Sequence, residues 1–100
     1  MSTRDTWFSD YDLSPDKVKA IEGRCKTARG RERELILMAA ESVYPEIAQY
    51  IFFSLCTGRG YDNITKICDI PMGRKDFYGY RRKTIYEYSK YMMLDGHRIV

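Results

Sequence analysis

Residues 74–83 read RKDFYGYRRK, a run whose side chains have the chemistry to hold a polyanion. Arginine can pair bidentately with a guanine edge, lysine and arginine can neutralise phosphates, and tyrosine can donate to a phosphate or touch a thymine methyl. Between Arg74 and Lys90 six basic residues meet only Asp76 and Glu87. Residues 1–58 carry eight basic and nine acidic groups, whereas 59–100 carry nine and five. The formal net charge of +3 is therefore modest, but its field is concentrated in the second half of the chain.

For these side chains to act together, one helix face must present them. Counting about 100° per residue from Lys75, Phe77, Tyr80, Thr84, Tyr88 and Tyr91 fall between about 140° and 220° and form an inward stripe. Lys75, Gly79, Arg82 and Tyr86 fall within about 40° of zero, with Tyr78 at about 300°. This phase predicts Lys75, Tyr78 and Arg82 against a DNA groove, with Arg74, Arg81 and Lys83 flanking it toward phosphates and Tyr86 on the same outward face. Gly79 weakens a helix interior unless something large comes close, and a DNA backbone or base edge answers that description. An ordinary amphipathic helix with a solvated basic face is the plainer alternative.

The elements before this helix give it a context. Ile64, Ile67 and Cys68 fit a short helix over 62–69, Ile70-Pro71-Met72-Gly73 must turn, and a long helix follows over 74–94. That is the order of a helix-turn-helix over about 61–94, in which Met72 and Phe77 are expected to lock the two helices together. The stretch IPMGRKDFYGYRRKTIYEYSKYM resembles the carboxyl-terminal helix-turn-helix of small phage-encoded regulators of late transcription, the ArpU and RinA type, which themselves resemble region four of bacterial sigma factors. The resemblance rests on Phe77-Tyr78-Gly79-Tyr80-Arg81-Arg82 and covers roughly residues 60–92. It departs from the pattern at Pro71 and Gly73, where many such motifs carry a turn glycine and a Ser or Thr cap, and Asp76 places a carboxylate in the first turn. The resemblance implies a sequence-specific, DNA-binding transcription regulator of phage or mobile-element origin, with double-stranded DNA as its partner.

Two other functions stay open. The nine tyrosines suit a protein interface as well as DNA, so the same fold could instead bind RNA polymerase, a sigma factor or another regulator. A packaging or recombination accessory protein would also use a helix-turn-helix. A homodimer is a further expectation, because such units gain affinity by pairing half-sites about one DNA turn apart; the long carboxyl-terminal helix or the amino-terminal aromatics would form its interface.

One hundred residues with 44% hydrophobic and 31% charged content make one small globular domain. The expected fold is all-α. Residues 1–12 lack periodicity and read as a flexible arm whose Trp7, Phe8 and Tyr11 could dock on the domain or a partner. Ser14 and Pro15 start a helix over 15–28, followed by helices over 31–42 and 45–57, the last apolar on most sides and expected at the centre. The expected core is Ile21, Leu35, Met38, Ile47, Ile51, Phe52, Leu55, Ile64, Ile67, Phe77, Tyr80 and Tyr88. Cys25, Cys56 and Cys68 lie in apolar stretches without C-x-x-C spacing and read as reduced core residues. His97 is the only histidine, so no metal and no cofactor are expected, and without a Gly-rich phosphate loop or a Cys-His pair no enzyme. No apolar run approaches the roughly 18 residues of a membrane span, and Met1 to Asp16 lacks a signal-peptide pattern; a cytoplasmic protein is expected.

Overall fold

The computed structural model describes residues 7–96. Residues 1–6 of the expected arm and His97 lie outside the described residues. Ser14 Oγ accepts a hydrogen bond from the Lys17 amide at 3.2 Å, and Pro15 takes the first position of α1 (Pro15–Thr27). The side-chain oxygen thus satisfies an otherwise orphaned amide, and the proline has no amide to orphan. Gly30, at φ 57°, swings the chain into α2 (Arg31–Val43); any other residue there would be strained. Pro45 opens one 3-10 turn that continues into α3 (Ala48–Thr57), and Gly58, at φ 78°, closes α3 with its N–H on the Ser54 carbonyl at 2.8 Å. α4 (Tyr61–Thr65) is short, and α5 (Arg74–Leu94) is 21 residues long. Among the described residues there is no strand, and the fold is all-α. No helix among them is long and apolar enough to cross a membrane.

α4 ends earlier than the expected residue 69. The Ile67 and Cys68 amides both reach back to the Ile64 carbonyl, which closes the helix into a turn. Ile70 is buried and precedes Pro71, and a residue before proline is pushed out of helical geometry. Ile67 consequently points outward, 68% exposed, and Cys68 is exposed with it, against the expectation that both are core. Cys56 is only half-buried; Cys25 alone of the three is fully enclosed, and burial pushes its thiol up to about 12.

α5 lies antiparallel to α2, since Tyr44 after α2 packs on Tyr80 at 4.9 Å while Arg31 at its start pairs with Asp95 at 3.2 Å. These two helices share the most extensive contact in the molecule. α2 buries Leu35, Ile36, Ala39 and Ala40, and the same register turns Met38 outward, 45% exposed. α5 thus shares the centre of the fold with α3, which touches each of the other four helices. α3 buries only Ala48, Ile51, Ser54 and Leu55; Phe52 is half-buried and Phe53 is exposed, because nothing among the described residues covers its far side. On α5 the buried positions include Ile85 and Met92, so the inward face is centred near 240° on the sequence-derived wheel. Tyr80, expected in the core, lies half-buried at the edge of that face.

Candidate nucleic-acid interface

The short helix, turn and long helix are joined by a clasp that the sequence did not single out. The Tyr61 hydroxyl donates to the Met72 carbonyl at 2.8 Å, and its ring packs on Phe77 at 5.6 Å. Phe77 is buried and Met72 half-buried, and Tyr61 ties the turn to the helix. The Tyr78 hydroxyl accepts from the Tyr61 amide at 3.0 Å, which fixes the first amide of α4 against the second turn of α5. No spacing signal points to Tyr61, whose partners are 11 to 17 residues away.

The first turn of α5 is open. Arg74 and Lys75 are exposed, and Arg74 pairs with Asp62 on α4 while its guanidinium lies 5.7 Å from the Tyr78 ring centre. Tyr78 is half-buried and held by its hydroxyl. Lys83 is half-buried and has no ion pair among the described residues.

The later positions are not on an open face. Gly79 is buried. Arg81, with 15% of its side chain exposed, donates to Glu22 of α1 at 3.0 Å and to Ser54 of α3 at 2.9 Å. It joins three helices and flanks no groove, which corrects the phosphate role expected for it. Arg82 and Tyr86 do lie on one stripe, but residues of the expected flexible arm lie across them. Phe8–Tyr11 form a 3-10 turn tied by the Leu13 amide to the Phe8 carbonyl at 2.9 Å. The Trp7 ring sits 4.1 Å from the Arg82 guanidinium, and Tyr11 stacks on Tyr86 at 4.6 Å and 17°. Residues 7–11 are thus docked rather than loose. Removal from water pulls the pKa of Arg82 below its ordinary value, with Tyr11 opposing in part. A long cationic side chain gives up little here, since its stem and π-face contacts replace part of its hydration.

Two causes separate these positions. Arg81, at about 240° on the same wheel, belongs to the inward side, whereas Arg82 and Tyr86 point away from it and are crossed by Trp7 and Tyr11, which periodicity cannot foresee. Of the eight expected contact residues, Arg74, Lys75 and Tyr78 share one accessible end, Lys83 lies further along, and Gly79, Arg81, Arg82 and Tyr86 are buried or overlain. No protein-family model, curated protein or solved structure matches the chain.

Proposed function

We propose that the chain binds double-stranded DNA through the α4–turn–α5 unit, as a sequence-specific transcription regulator of phage or mobile-element origin. One observation carries the reading: the amino-terminal turn of α5, the part of a recognition helix that enters the major groove, is exposed and bears Arg74 and Lys75. Tyr78 stands beside them, and the Tyr61 clasp holds the turn rigid from behind. Arg74 gives up little to reach a phosphate, because its exposed pair with Asp62 is worth about 0 to 1 kcal/mol. The phage origin rests on the resemblance of residues 60–92 alone.

Selection of fragments bound from a genomic duplex library, followed by titration of the selected duplex, tests this. The expected result is a logarithmic fall of affinity with salt, with Lys75→Ala costing about 1 to 3 kcal/mol on the preferred site and little on random duplex. Affinity that is absent at low salt overturns the reading. A protein partner such as polymerase or a sigma factor is the second reading, and a separate observation favours it. Tyr50, Phe53, Ile64, Ile67 and Cys68 line an apolar groove between α3 and α4, with Ile67 exposed on its wall.

A further inference from the structure

The fold gathers cations that are far apart in the chain. Lys26, near the end of α1, lies against the end of α3: a Cβ built on Gly58 would stand 2.8 Å from Lys26 Cε and 3.3 Å from its Nζ. Arg59 follows directly and is exposed. Arg33 donates through Nε to the Ala28 carbonyl at 2.9 Å, which folds its side chain over the α1–α2 junction, and its charge reaches Cys56 of α3. Arg29 is exposed in that junction. Three segments therefore bring Lys26, Arg29, Arg33 and Arg59 to one corner of the bundle.

The nearby carboxylates do not neutralise them. Glu22 is taken by Arg81, Glu32 by Arg24 and Glu34 by Arg31. None of the four corner cations has an ion pair among the described residues. The corner is also continuous with the exposed end of α5. Gly60, next to Arg59, backs onto the Tyr78 hydroxyl, which would stand 2.6 Å from an added Cβ, and the Tyr78 ring lies under Arg74. A strip thus runs from Arg29 and Lys26 through Arg59 and Tyr78 to Arg74 and Lys75.

We infer that Lys26, Arg29, Arg33 and Arg59 form a second, sequence-independent contact with the phosphates of the same duplex, extending the footprint beyond the helix-turn-helix. This rests on the DNA-binding reading and adds a named surface to it. Unpaired like charges repel one another in the free protein, and a phosphate chain relieves that repulsion while releasing its own counterions.

The test uses the full chain and two labelled duplexes, one selected and one of random sequence, titrated across a salt series. The variant K26Q/R29Q/R59Q should bind both duplexes more weakly by the same factor and flatten the slope of log affinity against log salt by about two to three. Its melting temperature should match wild type. Arg29→Gln alone, at a side chain with no hydrogen bond among the described residues, should flatten the slope by about one, and serves if the triple variant unfolds. Unchanged slopes for both variants, with Lys75→Ala still weakening the selected duplex, would sink the corner contact and leave the helix-turn-helix reading intact. A flattened slope with Lys75→Ala silent would keep the corner and remove α5 as the reader. Absence of salt-dependent duplex binding by the wild-type chain removes both.

Discussion

Arg74 and Lys75 in the first turn of α5 stand open to solvent, whereas Arg81 and Arg82 two turns later are held by Glu22, Ser54 and Trp7. The residue types are the same and the helix is continuous, so the difference comes from what crosses each turn. Against the amino-terminal end the short α4 packs on the Phe77 and Tyr78 side. Further along, α1, α3 and residues 7–11 converge on α5. A basic side chain is available to a polyanion only where no other segment needs it, and in this molecule the middle arginines are spent on holding the domain together.

Substitutions can break that comparison. The largest effect belongs to Phe77, fully buried beneath the clasp: Phe77→Ala should cost about 3 to 5 kcal/mol in denaturant unfolding. A variant with wild-type stability would mean that the turn is not anchored through this ring. Arg81→Ala should come next, at about 1 to 3 kcal/mol, because it leaves Glu22 without its partner in a half-buried site. Thiol labelling at pH 8 gives a second readout. Cys25 is enclosed and raised to about 12, so its reactive thiolate is scarce in the native chain; in the C56S/C68S background, which removes the two more accessible thiols, labelling should begin only when α1 loosens, and Arg81→Ala should speed it. Arg81→Ala with unchanged stability would put Arg81 among the available cations after all.

A smaller effect is expected at the docked segment. Trp7→Ala removes an exposed cation–π contact and should cost about 0.5 to 1 kcal/mol, with the Arg82 guanidinium gaining solvent access by hydrogen exchange. Smallest of all is Arg74→Ala, whose stability should stay within about 0.5 kcal/mol of wild type because its pair with Asp62 is exposed. A larger loss at Arg74 than at Arg81 would reverse the comparison.

Signals that are local in the sequence match structure that is local. Ser14-Pro15 starts α1, and the order of short helix, turn and long helix appears where the spacing of Ile64, Pro71 and Phe77 predicts it. Burial on α5 was harder. Tyr80, Tyr88 and Tyr91 mark an inward stripe, but tyrosine suits both a core edge and a wet surface, and the fully apolar Ile85 and Met92 that fix the true centre fall outside it. Met38 and Ile67 illustrate the opposite error, since an apolar side chain is not obliged to be inside.

The candidate site divides in the same way. Charge and helical phase, which depend on neighbours within a few residues, are sufficient to find α5 and its exposed first turn. They cannot find Tyr61 beneath Met72, Lys26 beside Gly58, or Trp7 over Arg82, because each contact joins positions separated by 11 to 75 residues in the chain. Caps and periodicity are paid for by local backbone geometry and are written in short stretches. The distribution of free and occupied cations depends on which helices pack together, above all on the extensive packing of α2 against α5. The sequence by itself determined an all-helical chain with a basic long helix at its end; tertiary packing decided which of that helix's charges remain outside, because only packing brings distant segments across its face.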